Sequence, residues 1–290
     1  MKISVANKTS AFILVITILL ICCTSKNTSH NPKIAKGTLV IIGGGNRDTT
    51  LMQELINVSG WKQGDWISIA TMASRWDSAY LSMNNEFRFY TKSNVRCIRI
   101  DSITVKNKLV LDSMRQSKII YLTGGDQSVF MNHIRGTAFK KMINGAYQSG
   151  VTIAGTSAGA ALMSERMLTG NQLESKEYTS TVKVIHNGNM EIAEGLGLLS
   201  NVIIDQHFIV RSRTNRLLSA VLSNQGLDGI GIDESTAIII RDTTARVAGL
   251  SQVMVYRSPN QLTHGKNKLV GTPQLNLSVY LPGEKFIIKH

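Results

Sequence analysis

From Thr38 onward, short apolar runs alternate with stretches in which apolar residues recur at helical spacing. "TLVII" leads into Gly43-Gly44-Gly45 and a helix-like segment from about Thr49 to Val58, and "WISIAT" is followed by another from about Asp77 to Tyr90. "VRCIRI" precedes "KNKLVLDSMRQ", "KIIYL" precedes Gly124-Gly125 and a helical region, and "VTIAG" runs directly into "TSAGAALM". Strands alternating with helices at this spacing predict right-handed βαβ crossovers. The fold class expected is α/β, a doubly wound and mostly parallel sheet covered on both faces, with ligands at the carboxyl ends of its strands. "NVIIDQHF" and "GIGIDESTAIII" repeat the form of a strand followed by a polar loop, and the tail from "RVAGLSQVMVYR" is β-rich without a helical period. With no internal repeat and no second boundary, residues 37–290 are expected to form a single α/β domain.

Three strands end in glycine-bearing loops, "IIGGGNRD", "YLTGGDQS" and "IAGTSAGA". The first does not have the spacing of the dinucleotide fingerprint G-x-G-x-x-G. Its glycines are better explained by backbone that must approach a ligand or another loop closely. The third fits Gly-x-Ser-x-Gly, the elbow in which a serine sits on a strained strand-to-helix turn and presents its hydroxyl. Side chains at Gly155 or Gly159 would collide with the neighbouring turn, and the amide of Ala158 is freed at a helix start. The bland alternative is a tight turn between closely packed elements.

Composition adds bounds to this picture. The 290 residues are 43% hydrophobic, enough for a substantial core. Taking Lys2 and Lys8 off the formal charge of +13 leaves +11, which favours an anionic partner. The cations are spread along the chain and no nucleic-acid module is present, so nucleic acid is not the expected partner. At the N-terminus, Lys2 and Lys8 flank the apolar "AFILVITILLI", about eleven residues and too short to span a bilayer, followed by Cys22-Cys23. Residues 1–23 therefore read as an export signal ending in a lipobox, with Cys23 as the lipidated residue. Residues 24–36 read as a polar tether, and a plain cleaved signal peptide is the alternative. The expected location is the cell envelope, periplasmic or outer surface, or the secreted fraction. Only Cys97 is left for the domain, where a buried structural thiol is expected.

A serine nucleophile needs a base within hydrogen-bond reach and a carboxylate to orient that base. Of six histidines, His30 lies in the tether and His290 is the last residue, while His133, His186 and His264 fall in helix or loop settings. His207 follows "VIID" at a strand end, on the edge where Ser157 should emerge. Asp233-Glu234 after "GIGI" offers the acid, with Asp205 as a local competitor; a turn with a capping acid is the bland reading of "IDES". An oxyanion hole needs two fixed N–H donors, available from Ala158 and from the Gly124-Gly125-Asp126 loop.

"LTGGDQ", "GTSAGA", "DQHFIVRSRTNRLL" and "GIGIDESTA", in that order, resemble the serine peptidase family that contains the cyanophycinases and the aspartyl dipeptidase peptidase E. The likeness runs over nearly the whole chain after the tether. It implies a flavodoxin-like fold similar to class I glutamine amidotransferases and a triad of Ser157, His207 and Glu234, beside which the oxyanion donors expected are the amides of Gly125, Asp126 and Ala158. It further implies a substrate pocket of Gln127, Asp205, Gln206, Arg211, Arg213 and Arg216, and a homodimer. The reaction implied is exo-hydrolysis of cyanophycin, a poly-aspartate carrying arginine on each β-carboxylate, to β-Asp-Arg dipeptides, with no metal or cofactor. The alternatives are an exported dipeptidase acting on Asp-X peptides and a non-catalytic lipoprotein that binds Asp-rich peptides.

Overall fold

The computed structural model describes Met1 and residues 35–72, 76–92, 95–175, 177–179 and 181–288. Met1 apart, these belong to one compact unit running from Ile34 to His290. The export-signal and lipobox assignment, Cys23, most of the tether with His30, and His290 lie outside the described residues. No helix among the described residues is long and apolar enough to cross a membrane.

Five parallel strands form the centre: β1 (Leu39–Ile42), β2 (Ile67–Met72), β3 (Val95–Ile100), β4 (Ile119–Leu122) and β5 (Thr152–Thr156), in the order β1-β5-β4-β2-β3. They are joined by helices α1 (Thr49–Ser59), α2 (Trp76–Thr91), α3 (Lys108–Arg115), α4 (Gln127–Ile134) and α5 (Ala138–Gln148). Asp48, Asn107, Asp126 and Thr137 start four of these helices by accepting amide protons of the first turn. The unbroken apolar runs follow from burial on both faces. Leu39, Ile41, Ile120, Leu122 and Ile153 enter one core cluster, while their neighbours Val40, Ile42, Ile119, Tyr121 and Ala154 enter the other.

Beyond β5 come α6 (Ala158–Ala161), β6 (Arg166–Gln172), β7 (Met190–Glu194), β8 (Val202–Gln206), α7 (Thr214–Ser223), β9 (Asp228–Ile232), β10 (Thr236–Arg241) and β11 (Thr244–Gly249). The chain ends with β12 (Val253–Tyr256), β13 (Thr263–His264), β14 (Val270–Gly271), β15 (Leu277–Tyr280) and β16 (Lys285–Ile287). Here the architecture departs from one mostly parallel sheet. β10, β11 and β16 extend the central sheet antiparallel from β1, and β8 and β9 form a second sheet with β12 and β15. For β10 and β11 the reason is connection length: Asp242 and Thr243 join them with Asp242 at φ 53°, and so short a link permits only a hairpin. Helix α7 packs on the second sheet, where Leu217, Ala220 and Val221 meet Ile203, Phe208 and Tyr256. The carboxyl ends of β1, β4, β5 and β8 bring four loops together.

Candidate active site

Ser157 stands between β5 and α6 with φ 54° and ψ −115°, a conformation that a serine adopts only under strain. The packing of two glycines enforces it. A Cβ on Gly155 would lie 2.4 Å from the carbonyl oxygen of Gly159, and one on Gly159 would lie 2.3 Å from that of Leu122. Although Ser157 occupies the N-cap position of α6, its side chain caps nothing. Its Oγ lies instead 2.8 Å from Nε2 of His207, which follows β8 in the left-handed region at φ 49°.

Of the three carboxylates considered from sequence, Glu234 faces the imidazole, with Oε1 2.5 Å from His207 Nδ1. Asp233 turns the other way and accepts the amides of Ile209 and Val210, both at 3.0 Å, so it fixes the turn after His207. Asp205 is buried behind α7. The bond to Glu234 requires a proton on Nδ1, which leaves Nε2 as the acceptor for the serine proton. His133 sits on α4, His186 bonds Glu174 at 2.5 Å, and His264 is exposed on β13.

The triglycine loop is the frame for this arrangement. Carbonyls of Ile42, Gly43 and Gly44 accept the amides of Ser157 (3.1 Å), His207 (2.7 Å) and Ser235 (2.9 Å). A Cβ on Gly44 would meet His207 Cε1 at 2.3 Å, and one on Gly45 would meet Glu234 Cβ at 2.7 Å. The close approach expected of these glycines is therefore to the base and its carboxylate.

Among the described residues, the amides of Gly125, Asp126 and Ala158 donate to no protein acceptor. Gly125 has φ 145°, open to glycine and not to side chains, and it lines both cavities that adjoin Ser157. These amides can receive the negative charge that develops on a carbonyl oxygen under attack, each such donor contributing ~3 kcal/mol in the transition state.

The two cavities share Ser157, Gly125, Asp126 and Arg211. The smaller, about 400 Å³, runs towards Gln127, Tyr178, Gln206, Arg213 and Arg216. The larger, about 740 Å³, runs along the His207 ring towards Gly44, Gly45 and Arg47.

Five of the six residues expected to hold substrate line the smaller cavity; Asp205 does not. It is buried and grips Arg216 through Nε at 2.9 Å and through Nη2, so it orients a cation that lines the cavity. The difference arises because α7 begins at Thr214 and carries Arg216 back over β8. Arg213 bonds the Gln206 carbonyl at 2.6 Å, the Gln206 side chain and the Tyr178 hydroxyl at 3.0 Å, while its buried Nε has no partner. Gln127 donates to the Leu168 and Thr169 carbonyls, leaving its Oε1 for a ligand. Arg211 is the exposed member, with 45% side-chain exposure and Nη2 3.8 Å from Glu234. Tyr178, Thr169 and Asn171 complete the wall and were not found by sequence reasoning, since they come from the β6–β7 region and carry no motif.

Burial lowers the His207 pKa below 6.5; Glu234 opposes the shift, and Arg211 adds to it. A base must be neutral to act, so activity is present above this pKa and lost as pH falls through it. The acid limb of kcat/KM is thus expected below pH 6.5, and Arg211→Met is expected to move it upward; pH–rate profiles of both proteins check this. Asp205→Ala is expected to cost about 3 kcal/mol by stranding Arg216, read as a shift of the denaturant midpoint. Burial raises the Cys97 thiol to about 12, so that side chain carries no thiolate at neutral pH. Among the described residues no three His, Cys, Asp or Glu side chains converge on a metal position.

The α/β fold and the serine at its strand end define a serine-type hydrolase of the peptidase class. The model for "Peptidase family S51" matches residues 39–248, and the chain belongs to that family. It is 31% identical over 272 residues to a cyanophycinase of Trichormus variabilis, covering 89% of this chain and 87% of the relative. A cyanophycinase of Geminocystis herdmanii is 34% identical over 170 residues, 57% of this chain and 60% of that one. Among solved structures, a peptidase from an acI-B1 actinobacterium superposes with a TM-score of 0.64 at 18% identity, covering 88% of this chain and 98% of its own.

Proposed function

We propose that this peptidase hydrolyses cyanophycin to β-Asp-Arg dipeptides through an acyl-enzyme on Ser157. His207 takes the serine proton as Oγ attacks the scissile carbonyl, and the oxyanion forms against the amides of Gly125, Asp126 and Ala158. Glu234 holds the imidazole in its tautomer and stabilises the imidazolium. Collapse breaks the C–N bond, and His207 gives its proton to the departing amine. Water, deprotonated by the same imidazole, then attacks the ester; the C–Oγ bond breaks, His207 returns its proton to Ser157 Oγ, and the acid is released. The steps need no metal or cofactor.

The observation that carries the reading is the alignment of Ser157, His207 and Glu234 beside a cavity where Arg211, Arg213 and Arg216 outnumber the nearby Asp126 and Asp205. Guanidinium forks, of which Arg211 is the solvent-exposed one in this cavity, select a carboxylate. In cyanophycin the α-carboxylate of the arginine carried on the acyl residue supplies one, and in an Asp-X dipeptide the aspartyl side chain does. Because the same cluster suits Asp-X dipeptides, that activity is the second reading. A silent Asp-rich-peptide binder is the third, disfavoured by the aligned serine. The test is incubation with insoluble cyanophycin and mass analysis of the soluble products. β-Asp-Arg release supports the proposal, cleavage of Asp-X dipeptides alone moves the assignment to the second reading, and binding without turnover to the third.

The finer fold assignment, similar to class I glutamine amidotransferases, belongs to the same proposal, as do a homodimer and a single domain over residues 37–290. So does an envelope location through lipid on Cys23, for which the supporting features are the apolar run 11–21 and Cys22-Cys23. Mass analysis of the N-terminal peptide for a diacylglyceryl group tests it.

A further inference from the structure

Of the six residues expected to hold substrate, five line the smaller cavity, and of these Arg211 alone also lines the larger. Only the larger is lined by His207. Since His207 must reach the departing amine, the leaving half of the substrate lies in that larger cavity, with the acyl half in the arginine-lined one. Its walls are Gly44, Gly45, Ser82, Met83 and Arg47, along with the shared Arg211.

Arg47 is built for a fixed position. Glu86 on α2 grips its Nε at 3.2 and 3.1 Å and its Nη2 at 2.9 Å, and the two side chains are 14% and 17% exposed. A guanidinium has five N–H donors in one plane. Glu86 occupies one edge, and Nη1 has only a long contact, 3.5 Å, to the Gly45 carbonyl. The Glu86 fork fixes the guanidinium, which lines the larger cavity, while Gly45 packs on Glu234.

We propose that Arg47 is a specificity residue on the leaving-group side, reading a carboxylate of the departing fragment. This rests on the peptidase reading above and extends it. The ligand class is a peptide acid: an amine leaving group that carries a free carboxylate, whether a C-terminal α-carboxylate or an aspartyl side chain. Arg47 donates through Nη1, Glu86 keeps the guanidinium plane in place, and Ser82 is an exposed hydroxyl on the same wall.

The test uses two Asp-X peptides with the same acyl residue, one ending in a free acid and the other in a carboxamide. The wild-type protein is expected to prefer the acid by 10-fold or more in kcat/KM. In Arg47→Met combined with Glu86→Gln, which removes the pair without stranding a carboxylate, this preference is expected to fall to about one. Arg47→Lys, a point charge without the fork, should retain part of it. Labelling of Ser157 by a fluorophosphonate confirms that each variant keeps a formed site. An acid preference unchanged in the double variant overturns the proposal, as does a wild type that cuts both peptides equally. Hydrolysis of cyanophycin by the wild type with neither peptide cut overturns the proposal while sparing the peptidase reading, and absence of hydrolysis of all three overturns both.

Discussion

Ser157→Ala is expected to lower kcat on any substrate by about 10⁴-fold or more while leaving the thermal midpoint nearly unchanged. The substitution removes one oxygen, whose partner among the described residues is His207 Nε2 at 2.8 Å. The elbow survives, because its strain is imposed by Gly155 against Gly159 and by Gly159 against Leu122, none of which changes. Alanine keeps the Cβ that the φ of 54° already tolerates. Activity and stability should therefore separate cleanly. Steady-state kinetics and calorimetry on one preparation measure both, and a large loss of stability would contradict the glycine-enforced turn.

Gly44→Ala is expected to do the opposite and damage both. Its φ of +110° is a backbone region that alanine rarely enters, at a cost of ~1–3 kcal/mol. The new methyl would stand 2.3 Å from His207 Cε1 and 2.5 Å from Nε2. Overpacking of this kind costs a further ~1–3 kcal/mol. The ring has no retreat, since its Nδ1 is held by Glu234 and its own amide by the Gly43 carbonyl at 2.7 Å. The expected result is about 4 kcal/mol of lost stability, the sum of those two terms. A loss of at least about 10²-fold in kcat/KM should accompany it, because a displacement of ~1 Å at a reacting group has that effect. Denaturant melts and kinetics decide; a Gly44→Ala protein with full activity would sink the account of the triglycine loop.

The parts of this molecule that were legible in the sequence are those with a local signature. The unbroken run at Leu39–Ile42 announces a strand buried on both faces, and the alternation of such runs with helices announces the parallel centre. Gly155 to Gly159 announces a strained turn because two glycines flank a serine after a strand. The second sheet was not legible. β8 and β9 have the same apolar form as the central strands, and only the pairing of β9 with β12 separates them from the main sheet. Nor did spacing distinguish Glu234 from Asp233, adjacent in the chain and pointing to different partners. The direction of a side chain at a tight turn is set by the φ of 55° at Ser235 and by the Gly44 carbonyl that binds its amide. The same limit applies to Asp205, whose grip on Arg216 depends on where α7 starts, and to Arg47 and Glu86, which meet across 39 residues.

The central claim is that Ser157, activated by His207, forms the covalent intermediate. A fluorophosphonate followed by peptide mapping tests it most directly. The account predicts one adduct, on Ser157, slowed by prior saturation with an Asp-containing peptide and lost in His207→Ala. Labelling of another residue, or full labelling of Ser157 in His207→Ala, would contradict it.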